Sequence, residues 1–444
     1  MIWAQSMGAP TPQALINGGV LSLFILALGG SKFAVGAAFT MNFFAQIIRT
    51  LMAPYVDVAN KKRMVIIWFS TTVLFLGALL IAHPIQLAWG NKAAVWYVVI
   101  IFLGQRLCVN VGAAAWMPML SDLIPESLRG RFFGRLRRNF QIVSFILILL
   151  IGWYLGTSPS ITKFYLVFLV LFLMSAARPL LLLRLPETPP SKEGPREPIF
   201  RNIARPFQDS NFRAFLLFWA SVAFTVNMAR PFAVPFLKED LAFPASITTY
   251  ASAALILGMV IGLLPWGRVA DRFGNRFVFL LNIVLMAGAF HVLASTPNYP
   301  SNSLMAMLVG ILSFLLIGIA IGGLGIAHTV RQMYAAPSEH RGAYMGVFYT
   351  TNGLISGIVA TGSGAVLEQL PESIQLMGTE MDPMRIFFPG AALCVLITLL
   401  LLARLEPLAE RPIRHTVANF ISLLPPTLTI PLRLINLDPH QHDR

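Results

Sequence analysis

Two arginines stand in stretches of sequence that carry no other charge. Arg106 falls about 13 residues into an apolar run, so about 20 Å along a helix at roughly 1.5 Å per residue, near the middle of a bilayer. Asn110 follows four residues later and shares its helical face. Arg230 lies towards the far end of a second apolar run, with Asn227 three residues before it. Pro231 removes a backbone hydrogen bond to the Asn227 carbonyl, and an opened turn beside a charge is a common way to build a binding site. Asn17, in the first apolar run, is the rough counterpart of Asn227. A guanidinium is a planar fork that grips carboxylate or phosphate through paired hydrogen bonds. All nineteen acids fall in loops, helix ends or the tail, so no internal carboxylate competes for either arginine. That pattern points to recognition of a small anion and weakens any proton-coupling scheme that needs a buried carboxylate. Each arginine also has a plainer reading. Arg106 would bond to backbone carbonyls of a neighbouring helix, and Arg230 would snorkel to the outer interface.

Other chemistry is not supported. There are no paired carboxylates, phosphate-cradling glycine loop or nucleophile elbow, so catalysis, ATP hydrolysis and a cofactor are not expected. Cys108 and Cys394 lie in apolar runs without zinc spacing and read as core residues. His291 and His328 lie near helix ends, again without metal spacing.

The elements that position these residues must live in lipid. Of 444 residues, 56% are hydrophobic and 12% charged, and the mean hydropathy is +0.71. Soluble domains carry roughly twice that share of charge. Runs such as Phe140 to Leu155, Ile311 to Ala327 and Phe387 to Ala403 are nearly charge-free. Spans are predicted at 12–29, 33–54, 64–83, 93–119, 137–157 and 161–183, then at 212–236, 247–266, 276–295, 303–330, 342–367 and 385–404. The start of the first is the least defined, because Pro12, Asn17, Gly18 and Gly19 interrupt it. Most of the 33 Lys and Arg fall in the loops after even-numbered spans and in the tail. The net charge of +14 therefore reads as topogenic rather than as a nucleic-acid surface, and both termini are expected in the cytoplasm of a multi-pass inner (plasma) membrane protein. No removable signal peptide is expected.

The chain divides into residues 1–183, a proline- and charge-rich cytoplasmic linker at 184–211, residues 212–404 and a tail at 405–444. The tail's Val417 to Leu437 is apolar, but Pro425, Pro426 and Pro431 argue for an interfacial segment over a thirteenth span.

Two loop motifs recur. Asp57 is followed by Asn60-Lys61-Lys62-Arg63, and far along the chain Asp271 lies in Gly267-Arg268-Val269-Ala270-Asp271-Arg272-Phe273-Gly274-Asn275-Arg276. Pro125 leads to Arg129-Gly130, and Pro337 leads likewise to Arg341-Gly342. The offset from Asp57 to Asp271 is nearly the same as that from Pro125 to Pro337. Two independent motifs at nearly one offset mark duplicated halves. Gly267 would allow close packing and Gly274 a tight turn, and each acid suits a helix N-terminus.

GRVADRFGNR resembles the G-x-x-x-D-R-x-G-x-R loop signature of the major facilitator superfamily; the first-half copy is degenerate, with Ala53 and Asn60 at the glycine positions. The stretch Arg106-x-x-x-Asn110-x-Gly112 resembles that family's arginine motif in the fourth span, with Asn110 in place of a glycine. The resemblance implies an all-α membrane protein of about twelve transmembrane helices, in two six-helix bundles related by a pseudo-two-fold axis. It implies a secondary carrier of a small organic solute working by alternating access, with spans 1, 4, 7 and 10 lining the cavity. The solute would be an anion or an exported metabolite or drug. Arg106, Asn110, Asn227, Arg230 and Asn17 are the expected binding residues. Asp57, Arg129, Gly267, Asp271, Arg272, Gly274, Arg276 and Arg341 are the expected gate at the linker end, Asp271 facing Gly130 and Asp57 facing Gly342. A monomer is expected, with the bilayer and the solute as partners and no nucleic acid. The rival is a non-transporting assembly protein on the same fold, of the kind that serves pigment complexes. The glycines from Gly318 to Gly325 and from Gly353 to Gly364 are expected to let helices pack closely.

Overall fold

The computed structural model describes residues 1–56, 60–124, 126–186, 204–299, 303–335, 341–371, 373–376 and 379–405. Within a bilayer a backbone must satisfy its own polar groups, so apolar stretches become helices. Each of the twelve predicted stretches is helical over most of its length. The first is broken: α1 (Ile2–Gly8) leads through short turns to a π-turn at Gln13–Asn17, then α2 (Val20–Ala27) sets off at 52°. Its start lies upstream of the predicted residue 12. Gly19 supplies the left-handed φ of +70° at the bend. The second predicted stretch is α3 (Lys32–Phe44) and α4 (Ile47–Val56).

There follow α5 (Lys61–Ala78), α6 (Ala82–Leu123), α7 (Glu126–Leu155) and α8 (Ile161–Leu183). Beyond the linker come α9 (Ser210–Ala229), α10 (Ala245–Phe273), α11 (Asn275–Ala294), α12 (Ser303–Ala335), α13 (Arg341–Gln369) and α14 (Pro383–Leu402). A small antiparallel hairpin, β1 (Ile374–Leu376) and β2 (Thr379–Met381), joins the last two helices. Side-chain caps start several of them: Ser31 for α3, Asn60 for α5, Asp209 for α9 and Asp382 for α14.

Among the described residues, eight helical stretches are long and apolar enough to cross a membrane, and the bent first pair makes a ninth. One of the eight, Lys61–Trp116, is 56 residues long. That would reach about 84 Å, nearly three times a hydrocarbon core, so it makes more than one pass. The break is Gly90, whose φ of +83° and ψ of 172° no helix contains. Length and hydropathy alone therefore count fewer crossings than the twelve predicted, because they merge α5 with α6 and pass over the divided α3–α4 and the glycine-rich α13.

The two halves meet in a symmetric pattern. α13 packs along α3 and α4, and α10 packs along α7. The offset of the loop motifs carries α3–α4 onto α10 and α7 onto α13, so the two contacts are copies of each other. The repeat also caps equivalent helices. Lys62 Nζ donates to the Leu183 and Leu185 carbonyls at the end of α8, at 3.1 and 2.6 Å. Arg276, its counterpart at the same offset as Asp57 to Asp271, donates from Nη2 to the Leu402 and Ala403 carbonyls at the end of α14, at 3.3 and 3.2 Å. A cation on free C-terminal carbonyls also complements the helix dipole.

Glycines pack as the small-residue spacing predicts. α10 and α12 touch backbone to backbone: a Cβ on Gly258 would overlap the Leu315 carbonyl, and one on Gly318 the Leu255 carbonyl. On α13, a Cβ at Gly353 would come within 2.6 Å of the Phe43 carbonyl, and Gly36 of α3 stands equally close to the Ala360 carbonyl. Gly325 and Gly362 have open space and take no part.

Candidate functional site

Arg106 lies on the inward face of α6 and is only 9% exposed. Its neighbour one turn on, Asn110, is wholly buried and donates from Nδ2 to the Arg106 carbonyl at 2.8 Å. That bond fixes the Asn110 amide and leaves Oδ1 without a partner among the described residues. Arg106 Nε and Nη1 are likewise buried without a partner among them. A second cation, Arg49, lies on α4, which packs against α6. Arg49 reaches across the boundary between the halves, 5.8 Å over the ring of Tyr349 on α13, and its own Nε is unpartnered. Two cations are thus carried inside the bundle on adjacent helices, and no described carboxylate pairs with either. Leaving buried charge unpaired is costly, so this arrangement calls for an anion.

Arg230 ends α9, where the helix tightens into a 3-10 turn over Arg230–Phe232 at Pro231. It does not snorkel. Its Nη2 donates across the halves to Asn17 Oδ1, and Asn17 Nδ2 donates to Gln13 Oε1. Asn227 is held inside its own half, donating from Nδ2 to the Ala223 carbonyl at 2.8 Å and to Ser356 Oγ at 3.0 Å. The five expected binding residues therefore form separate groups: Arg106 with Asn110, Arg230 with Asn17, and Asn227 with Ser356.

The second half carries an aromatic stack across α9, α12 and α13. Trp219 of α9 donates from Nε1 to Asn352 Oδ1 at 3.0 Å and stacks on His328 of α12, with ring centroids 4.5 Å apart. His328 lies parallel to Phe348, at 5.8 Å and 4°.

Among the described residues, the cations that look like topogenic charge in the sequence but lie inside the structure include Arg49, Arg178 and Arg331. Arg178 of α8 lies 3.6 Å over the Phe69 ring and 5.0 Å from that of Trp116, and donates to Gln5 Oε1 at 2.8 Å. Arg331 is fully buried and donates to Asn211 Oδ1 at 3.1 Å. Their position near helix ends hid them; spacing on the helix face is the one signal that would have found them.

Among the described residues, several hydrogen bonds join the halves at the end of the molecule away from the linker. Lys32 Nζ and Asp240 Oδ1 form an ion pair at 2.7 Å. Ala245 N–H donates to the Thr157 carbonyl at 3.0 Å and Ser246 N–H to that of Gly156 at 2.7 Å. Thr40 Oγ1 donates to the Gly357 carbonyl at 2.6 Å and also touches Thr361 Oγ1. With Asn17–Arg230, these contacts close that end.

Of the expected gate residues at the linker end, Asp57 lies outside the described residues. Arg129 lies on α7, Asp271 and Arg272 on α10, and Arg341 opens α13, but only their backbones are described. Gly274 has φ +86° between α10 and α11, a conformation that favours glycine. No described atom lies within 4 Å of a Cβ built on Gly267. Arg276 is the cap of α14 described above. Among the described residues, no cluster of three His, Cys, Asp or Glu is placed to hold a metal.

A helical membrane protein of two repeated bundles, with buried cations at their junction, has the architecture of a solute carrier. The family model of the Major Facilitator Superfamily matches residues 11–361 and, again, 216–432. The chain belongs to the major facilitator superfamily. A glucose transporter of Staphylococcus epidermidis, GlcP, is 30% identical over 112 residues, 25% of this chain and 23% of that transporter, so the chain aligns with under a quarter of this relative. Among solved structures, a point mutant of the nucleoside transporter NupG is similar at TM-score 0.70 and 15% identity, covering 91% of this chain and 100% of that one. A D-xylose–proton symporter is similar at TM-score 0.65 and 14% identity, covering 90% and 95%. These likenesses show the fold.

Proposed function

We propose that the chain is a secondary carrier of a small organic anion that works by alternating access, with both termini in the cytoplasm. One observation carries the substrate class: Arg106 is nine-tenths buried with two nitrogens that have no partner among the described residues, and the adjacent helix α4 carries a second cation, Arg49. A bound carboxylate or phosphate would bridge them through charge-assisted hydrogen bonds, each worth about 1.5–3 kcal/mol. Closure of the end away from the linker fits a state open to the cytoplasm. Asn17, Asn227 and Arg230 then belong to the seal and its support rather than to the anion site itself. The named relatives are carriers, which favours transport over the assembly-protein reading.

The test is uptake or counterflow of organic anions in proteoliposomes, with Arg106→Gln beside the unaltered protein. The variant is expected to lose at least about 90% of the transport of whichever anion is carried, since more than about 1.4 kcal/mol of binding is removed. Full transport by Arg106→Gln refutes the reading.

A further inference from the structure

The site offers more than positive charge. The packed helices α3, α4 and α6 that carry Arg106 Nε, Arg106 Nη1 and Arg49 Nε also carry buried acceptors that have no partner among the described residues. Asn110 Oδ1 is one turn along α6 from Arg106, and Gln105, next to Arg106 in the chain, has neither amide atom bonded. Asn42 Oδ1 lies on α3, two turns before Arg49, and α3 and α4 both pack against α6. Asn42, Gln105 and Asn110 are 7%, 1% and 0% exposed.

A simple carboxylate only accepts hydrogen bonds, so it would satisfy the guanidiniums and leave the three carbonyl-type oxygens orphaned. An amine would donate to them, but as a cation it would be repelled by Arg49 and Arg106. A neutral sugar would donate through its hydroxyls and leave the two guanidiniums uncompensated. A solute with an anionic group at one end and hydroxyls along its length answers both sets.

We infer that the carried solute is a hydroxylated organic anion, of the sugar-acid or sugar-phosphate class, with its anionic group on Arg106 and Arg49 and its hydroxyls donating to Asn110, Gln105 and Asn42. The inference rests on the anion reading above and goes beyond it by assigning the acceptors.

Calorimetric titration of the purified full-length protein separates the two. The probes are gluconate, glucuronate, glucose 6-phosphate, hexanoate and glucose. At least one of the three hydroxylated anions is expected to bind about tenfold or more tighter than both hexanoate and glucose, because hexanoate leaves the buried acceptors orphaned and glucose leaves the cations uncompensated. Arg106→Gln is expected to weaken that ligand about tenfold or more while leaving glucose unchanged. Asn110→Leu and, separately, Asn42→Leu are expected to erase most of the preference over hexanoate, so that one misfolded variant does not remove the test. Equal binding of hexanoate and the hydroxylated anions overturns this inference and leaves the anion reading standing; water then fills the acceptors. Equal binding of glucose, unaffected by Arg106→Gln, overturns both. No binding of any of the three hydroxylated anions also overturns the inference.

Discussion

The Lys32–Asp240 pair joins the start of α3 to the segment after α9, and so ties one half to the other at the end away from the linker. Replacing Lys32 with Met removes the cation and keeps most of the stem. At 2.7 Å, and with an effective dielectric of about 20 near a surface, the gross attraction is about 6 kcal/mol. The side chains are 21% and 16% exposed, so desolvation and lost rotamer freedom offset much of that. Fully exposed pairs contribute about 0–1 kcal/mol and breaking a buried one costs about 3–5, which places this pair near 2 kcal/mol. Asp240 also has Glu239 and Asp382 as acidic neighbours, so removing Lys32 leaves repulsion behind and works in the same direction. An energy of about 2 kcal/mol shifts an open–closed ratio about 30-fold. The assay is the distance distribution between spin labels on Ser158 and Ser303, exposed positions at this end on opposite halves. Lys32→Met is expected to enrich the longer distances, and the charge swap Lys32→Asp with Asp240→Lys to restore the shorter ones. A distribution unchanged by Lys32→Met, or a swap that behaves like the single variant, refutes the view that this pair holds the end closed.

The glycine contacts carry a stability prediction. Gly318→Val would drive a side chain into the Leu255 carbonyl and is expected to cost about 1–3 kcal/mol, seen as a lower melting temperature, whereas Gly288→Ala, with open space around it, should leave melting unchanged. Arg178→Met is expected to lower the melting temperature, since it removes a cation stacked on Phe69 and bonded to Gln5, without changing anion affinity. Tyr349→Leu removes the ring under Arg49; it should tighten anion binding a few-fold in calorimetry, because a cation–π contact of about 0.5–2 kcal/mol no longer competes for that guanidinium.

The repeat and the helical stretches were legible because hydropathy and loop motifs are local properties of the chain. The offset that relates Asp57 to Asp271 also relates Lys62 to Arg276, and both bases cap the last helix of their half. Burial of individual cations was not legible. Arg178 stands close to Arg184 in the sequence and looks like the same interfacial charge, yet its surround is built by Gln5, Phe69 and Trp116 from three other helices. Arg230 was visible as an internal charge, and Asn17 as an internal amide. Their bond depends on how the halves meet, which no local pattern encodes. Lys32 and Asp240 read as loop charges for the same reason.

Transport requires occupancy of the site to change the balance between open and closed forms, and a ligand does so only through contacts that differ between them. Arg106 and Asn110 both ride on α6, so they move together and cannot report the motion of the second half. Arg49 can. It belongs to the first half, on a helix packed against that of Arg106, and rests on Tyr349 of the second. Tyr349 adjoins Phe348, whose ring lies parallel to His328, itself stacked on Trp219; the stack therefore spans α13, α12 and α9. The backbone contacts of Gly258 and Gly318 hold α10 tightly against α12. An anion that draws Arg49 towards Arg106 takes it from Tyr349 and loosens one hold between the halves.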